Sequence, residues 1–198
     1  MIQQEKQTDA QIIEEAIRDC VKFETFRGEL LRCNPGLDCV QRATAYRETT
    51  MPQTISFGRY ALTQADYDKV DELMIPEEGL RDISAIAKLR NLQCLDLSNN
   101  PIQDFSPLAC LKRLEWLYLE KTGIQNLSVL AGLKNLEMLS LADNPFTDYS
   151  PLHSLSQLKE LDIQLCEEDW DALEDLELAL PDCSMTHHNY YFEDDFDW

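Results

Sequence analysis

The chain has 198 residues, 44% of them apolar, and carries 37 Asp and Glu against 17 Lys and Arg, for a net charge of −20. That size and apolar content suit one well-packed domain, while the charge opposes binding to nucleic-acid backbones or anionic membranes, whose phosphates must be met by cations, and points to basic or neutral protein partners. No cationic stretch leads into an apolar run at the N-terminus and nowhere are there about 18 consecutive apolar residues, so no secretory signal or membrane span is visible and a soluble, cytoplasmic chain is expected. The seven cysteines are scattered and odd in number, as expected of reduced thiols. The acidity is regional: after Lys159 there is no Lys or Arg, and residues 160–198 hold fourteen of the acids.

In chain order, Thr8 and Gln11 have the spacing of a capping box, and Ile13, Ile17 and Cys20 or Val21 share one helical face. Phe23, Phe26 and Leu30 continue that face less regularly, until Gly28 and then Asn34-Pro35-Gly36 break the pattern; Leu37 to Tyr46 is read as a second short helix. Residues 1–58 are expected to be a helical cap over the chain from residue 59 onward, with a separate partner-binding helical piece as the alternative. Cys20, Cys33 and Cys39 have irregular spacing and no His beside them, which favours structural thiols over a metal site.

From Val70 the chain repeats with a period of 22. Leu92, Leu114, Leu136 and Leu158 form one column, Leu95, Leu117, Leu139 and Leu161 another, and Leu97, Leu119, Leu141 and Ile163 a third, extending back to Val70, Leu73 and Ile75. Columns from Leu80, Ile83 and Ile86 hold as well, giving five units. The alternation in Leu95-Asp96-Leu97 or Leu117-Tyr118-Leu119 is the period of two of a short strand. Ser106-Pro107 and Ser150-Pro151 then predict a helical turn with serine as its N-cap and proline at its first position. No such unit can bury its apolar face alone, so stacked units must share one core in a curved solenoid with a parallel sheet. Asn100 and Asn144 are placed to satisfy loop backbone groups; Thr122 and Cys166, in the same column, do so in part, and Glu78 marks an edge unit.

These units, and Ile102-Gln103-Asp104-Phe105-Ser106-Pro107-Leu108-Ala109 in particular, resemble the leucine-rich repeat family in its 22-residue internalin-like class. Ala61 to Val70 is similar to the segment that opens such arrays, with Thr63 and Asp66 as a capping-box variant, and Leu176 to Met185 resembles the helix and short strand that close them. The resemblance implies an α/β leucine-rich repeat solenoid, with a concave parallel sheet and helical turns on the convex side, over residues 59–185. Residues 186–198 follow as an acidic tail carrying five aromatics in its last nine positions. Three fates stay open for that tail: folding back over the last unit, disorder, or insertion into a partner.

The strand register sets the outward positions of the sheet. Among them Met74, Trp116, Tyr118 and Met138 form an apolar, aromatic centre, with Ser140 beside it, and Glu72, Asp96, Glu120, Glu160 and Asp162 surround it with carboxylates. An aromatic anchor inside a polar rim is the anatomy of a protein interface. Cys94, Ser98, Pro76, Ala142 and Gln164 complete the outward set, which contains no basic residue. No nucleotide-binding, zinc-binding or nucleophile motif is present, and an open sheet neither excludes water nor shifts a pKa by burial, so catalysis, metals, cofactors and small-molecule substrates are not expected. The sequence therefore predicts a non-enzymatic module that binds another protein, with a basic surface, through its concave face. Alternatives are an inhibitor or immunity-type protein neutralising a cationic toxin or nuclease, and a bacterial effector delivered without a signal peptide.

Overall fold

The computed structural model describes residues 7–30, 61–165 and 170–189; the helix expected at 37–46, Cys166 and the tail from residue 190 lie outside them. Each repeat contributes one strand: β1 (Glu72–Met74), β2 (Cys94–Asp96), β3 (Trp116–Tyr118), β4 (Met138–Ser140) and β5 (Glu160–Leu165). A sixth strand, β6 (Ser184–Asn189), closes the sheet, and all six pair in parallel in chain order. The register between neighbouring repeats is one period, so Leu73, Leu95, Leu117, Leu139 and Leu161 stand side by side. The strands are short, but the ladder runs past them, as where Ile75 N–H donates to the Asp96 carbonyl (3.0 Å) and Leu97 N–H to that of Tyr118 (3.0 Å).

The periodic leucines form one continuous core. The columns of Leu92, Leu95, Leu97 and Leu108 are buried through the array. Tyr67, Leu89, Leu111, Leu133 and Leu155 form a further buried column. Burying one such side chain contributes roughly 1.5–3 kcal/mol, and stacking shares that burial between neighbours.

The convex side is built of 3-10 turns at Ser84–Lys88, Ser106–Cys110, Leu127–Gly132 and Ser150–Ser154. Here the expectation of a serine N-cap is corrected. Ser106 and Ser150 are the first residues inside their turns, and Phe105 and Tyr149 hold the cap positions without a side-chain bond. The cap acceptor stands two residues before each serine: Asp82, Asp104, Asn126 and Asp148 accept the N–H of Ser84, Ser106, Ser128 and Ser150 at 2.8–3.0 Å. An Asx turn suits entry into so tight a helix, because the side-chain oxygen reaches the N–H two residues on without an α-helical first turn.

The turns after the strands alternate with a period of two units, for a reason in hydrogen-bond supply. Where the turn contains Gly79 or Gly123 it offers free N–H groups, and the asparagine of the next unit accepts them. Asn100 Oδ1 takes the Leu80 N–H (2.9 Å), and Asn144 Oδ1 takes those of Thr122, Gly123 and Ile124 (2.8–3.3 Å). Their amide groups donate in turn to the carbonyls of Ile75 and Leu97, and of Leu119 and Leu141. Where the turn contains Pro101 one donor is missing and Ile102 N–H bonds the Asn100 carbonyl (2.8 Å), so Thr122 suffices in the next unit, its hydroxyl donating to the Leu119 carbonyl (2.8 Å). Each turn opens with a left-handed residue, Glu77, Asn99, Lys121 or Asp143, one repeat apart.

Both ends of the array are covered. Helix α1 (Asp9–Leu30) begins with the expected Thr8–Gln11 capping box and packs on β1 and the first 3-10 turn, with Ile13 and Ile17 fully buried. It runs on through Gly28, whose cost of about 1 kcal/mol in a helix is too small to end it. The Asp9 carboxylate accepts the N–H groups of Arg81 (2.9 Å) and Asp82 (2.8 Å), and the Cys20 thiol donates to the Glu72 carbonyl (3.4 Å). Helix α2 (Gln64–Tyr67) has the expected Thr63–Asp66 capping box. At the other end α3 (Trp170–Ala179) packs on the last 3-10 turn and buries Leu173 and Leu176.

Candidate protein-binding face

Strand pairing brings the expected residues onto one surface in rows. Glu72, Cys94, Trp116, Met138 and Glu160 are aligned across β1 to β5, and Met74, Asp96, Tyr118, Ser140 and Asp162 form the next row. Trp116, Tyr118, Met74 and Met138 are half-buried, their edges reaching solvent; Glu72, Asp96, Glu120 and Asp162 are also half-buried and Glu160 is exposed. No Lys, Arg or His stands in either row.

Three outward positions are closed off. Cys94, between the larger Glu72 and Trp116, is fully buried with its sulfur 3.9 Å from that of Met74, and Ser98 is buried too. Ser140 is also fully buried, its hydroxyl 2.9 Å from Glu120 Oε1 and 3.3 Å from Asp162 Oδ2. A hydroxyl has one proton to give, so Ser140 serves one carboxylate at a time, Glu120 at the shorter distance, and presents no surface of its own. Asp96 is held likewise, its carboxylate accepting the Ser98 N–H (2.9 Å). Asp96 and Glu120 are thus positioned negative charges beside the apolar residues of the two rows.

Residues 91–112 match the Leucine Rich Repeat family model. Among solved structures, an internalin from Listeria monocytogenes is similar at 26% identity over 65% of this chain and 37% of its own, with a TM-score of 0.56. A leucine-rich repeat protein from Leptospira interrogans is similar at 22% identity over 64% of this chain and 34% of its own, with a TM-score of 0.54. The chain has the leucine-rich repeat fold. It spans little more than a third of the length of those two structures. No curated protein matches it at a significant level.

Leucine-rich repeat folds serve protein–protein interaction, their curvature creating extended concave surfaces. In this repeat protein the face is wider than the five repeats predict. His187 and His188, read from sequence as tail residues, lie in β6, and Ser184 and Thr186 stand in register with Glu160 and Asp162 and are exposed. The signal was present as the alternation Ser184-Met185-Thr186, with Met185 packed against the core. Beside this strand, burial and the nearby Glu160 carboxylate push the Cys183 thiol up to about 11. Among the described residues no group of three His, Cys, Asp or Glu is set to hold a metal ion, and no helix is long and apolar enough to cross a membrane.

Proposed function

We propose that this chain is a non-enzymatic protein-binding module that grips a basic protein surface on its concave sheet. The observation that carries the reading is the row arrangement: Trp116 and Tyr118 on β3 and Met138 on the adjacent β4, partly exposed and flanked by carboxylates with no base among them, with Met74 on β1 beyond Asp96. Trp116 and Tyr118 are the anchors, because aromatic rings bury large area at small entropic cost. Glu72, Asp96, Glu120, Glu160 and Asp162 select a cationic partner and speed its approach. Ser140 contributes by donating its hydroxyl to Glu120.

The same features support a narrower reading, an inhibitor or immunity-type protein that masks a cationic toxin or nuclease, since such a target presents the basic surface this face lacks. The experiment is affinity capture with the full chain, followed by hydroxyl-radical footprinting of the isolated complex. Trp, Tyr and Met are easily oxidised side chains, so a partner on this face protects Trp116, Tyr118, Met74 and Met138. Protection confined to other residues places the interface elsewhere, and the identity of the captured protein separates the inhibitor from an effector acting on a host target.

A further inference from the structure

The 22-residue unit is divided electrically as well as structurally. The stretches 84–92, 106–114, 128–136 and 150–158, which form most of each 3-10 turn and the loop returning to the next strand, contain Lys88, Arg90, Lys112, Arg113 and Lys134 and not one Asp or Glu. The stretches between them, 71–83, 93–105, 115–127 and 137–149, hold twelve acids and only two bases, Arg81 and Lys121. The modest net charge of the array thus conceals a negative strand-and-turn half and a positive return-loop half.

The stacking of the repeats turns that pattern into a ridge. Arg90, Lys112 and Lys134 occupy one column at intervals of a repeat, with Arg113 next to Lys112, and all four are exposed. Lys112 Nζ donates to the Gly132 carbonyl (3.3 Å) and Lys134 Nζ to that of Ser154 (2.8 Å), so each ammonium is held at the end of the next unit's 3-10 turn. An ammonium has three N–H donors, and a head group already held in place loses little freedom when it takes an incoming anion. The bordering acids are engaged: Glu137 pairs with Lys159 (2.7 Å), and Glu115 accepts from Gln93 (3.3 Å).

We propose that this convex-edge ridge is a second interaction surface, which binds a short acidic peptide segment of a protein partner. At a strand spacing of about 4.8 Å the ridge from Arg90 to Lys134 is about 10 Å long, the reach of three or four extended residues at about 3.3 Å each. A short acidic segment stays within that length. An anionic bilayer or a nucleic-acid duplex extends onto the flanking acidic halves, within the roughly 8 Å over which charges act at physiological salt.

The test is fluorescence anisotropy of labelled hexaglutamate titrated with the full chain at low ionic strength. Saturable binding is expected, weakening roughly tenfold in the variant Lys112→Gln with Arg113→Gln and less than about twofold in Arg81→Gln with Lys121→Gln, which changes the net charge equally on the other half. Because Lys112 holds a turn end, melting temperatures are compared, and Arg90→Gln with Arg113→Gln repeats the test without touching that bond. Absence of saturable binding, or equal losses from both pairs, overturns the proposal. So does pelleting with phosphatidylserine vesicles without peptide binding, or self-association in sedimentation that the ridge variant abolishes, which assigns the ridge to a second copy.

Discussion

Asn144 is one side chain with six backbone partners on two neighbouring units. Replacing it with alanine strands three N–H groups and three carbonyls at once. Since an unmet buried polar group costs about 1–3 kcal/mol and water reaches some of these, Asn144→Ala is expected to lower unfolding stability by about 2–4 kcal/mol in urea titration. Thr122→Asn, which makes the column uniform, is expected to bring no gain in melting temperature, because Pro101 in the preceding turn has no N–H to offer. A clear stabilisation there would contradict the alternation as explained. Asp66 provides a pH test: hydrogen bonds from the Thr63 N–H and hydroxyl, with Lys69 close by, lower its pKa to about 2. The folded chain therefore binds this proton less tightly than the unfolded one. The stabilisation is complete above the ordinary value of 3.8 and fades as pH falls from there through about 2. Asp104 and Asp148, lowered by bonds from Ser106 and Ser150, act in the same direction. Carbon-detected NMR titration should find Asp66 near 2 and return it toward 3.8 in Thr63→Ala.

Among the elements, α1 gives the sharpest expectation. Ile17 is fully buried between the helix and the first repeat, so Ile17→Ala is expected to cost about 2–4 kcal/mol, and Asp9→Ala, which removes the acceptor of two loop N–H groups, to speed hydrogen exchange in α1 before it affects β3 or β4. Equal acceleration throughout would mean that helix and array open as one unit. The capping box at Thr8, the face of Ile13 and Ile17, and the leucine columns through Leu92, Leu95, Leu97 and Leu108 were legible in the sequence, because spacing alone reports which side chains share a buried face. The capping of the 3-10 turns was not. A serine before a proline suggests an N-cap whether the turn is α or 3-10, and only the backbone geometry shows that Asp104 and Asp148 supply the acceptor. Nor was the burial of Cys94 and Ser140 legible: alternation says which way a side chain points, whereas exposure depends on the bulk of residues one repeat away. The sixth strand was legible as the short closing strand expected up to Met185, but its continuation through Thr186 to Asn189 was read as tail, because nothing in that stretch repeats the leucine columns.

For the molecule as a whole, −20 is a poor summary of a charge that is sorted by position within the repeat and along the chain. The concave sheet presents carboxylates around Trp116 and Tyr118, the return loops present Lys and Arg, and the last 39 residues are acidic without a single base. Association of a basic partner with the concave face should slow as salt rises, because the steering field is screened beyond about 8 Å at physiological ionic strength. A stopped-flow rate that ignores salt would remove the rim from the account. The most direct test of the concave face is calorimetric titration of the captured partner against the wild-type chain and Trp116→Ala, with melting temperatures checked in parallel. The expected result is an unchanged fold and an affinity weaker by about 2 kcal/mol or more, roughly thirtyfold; an unchanged affinity with the fold intact would contradict it.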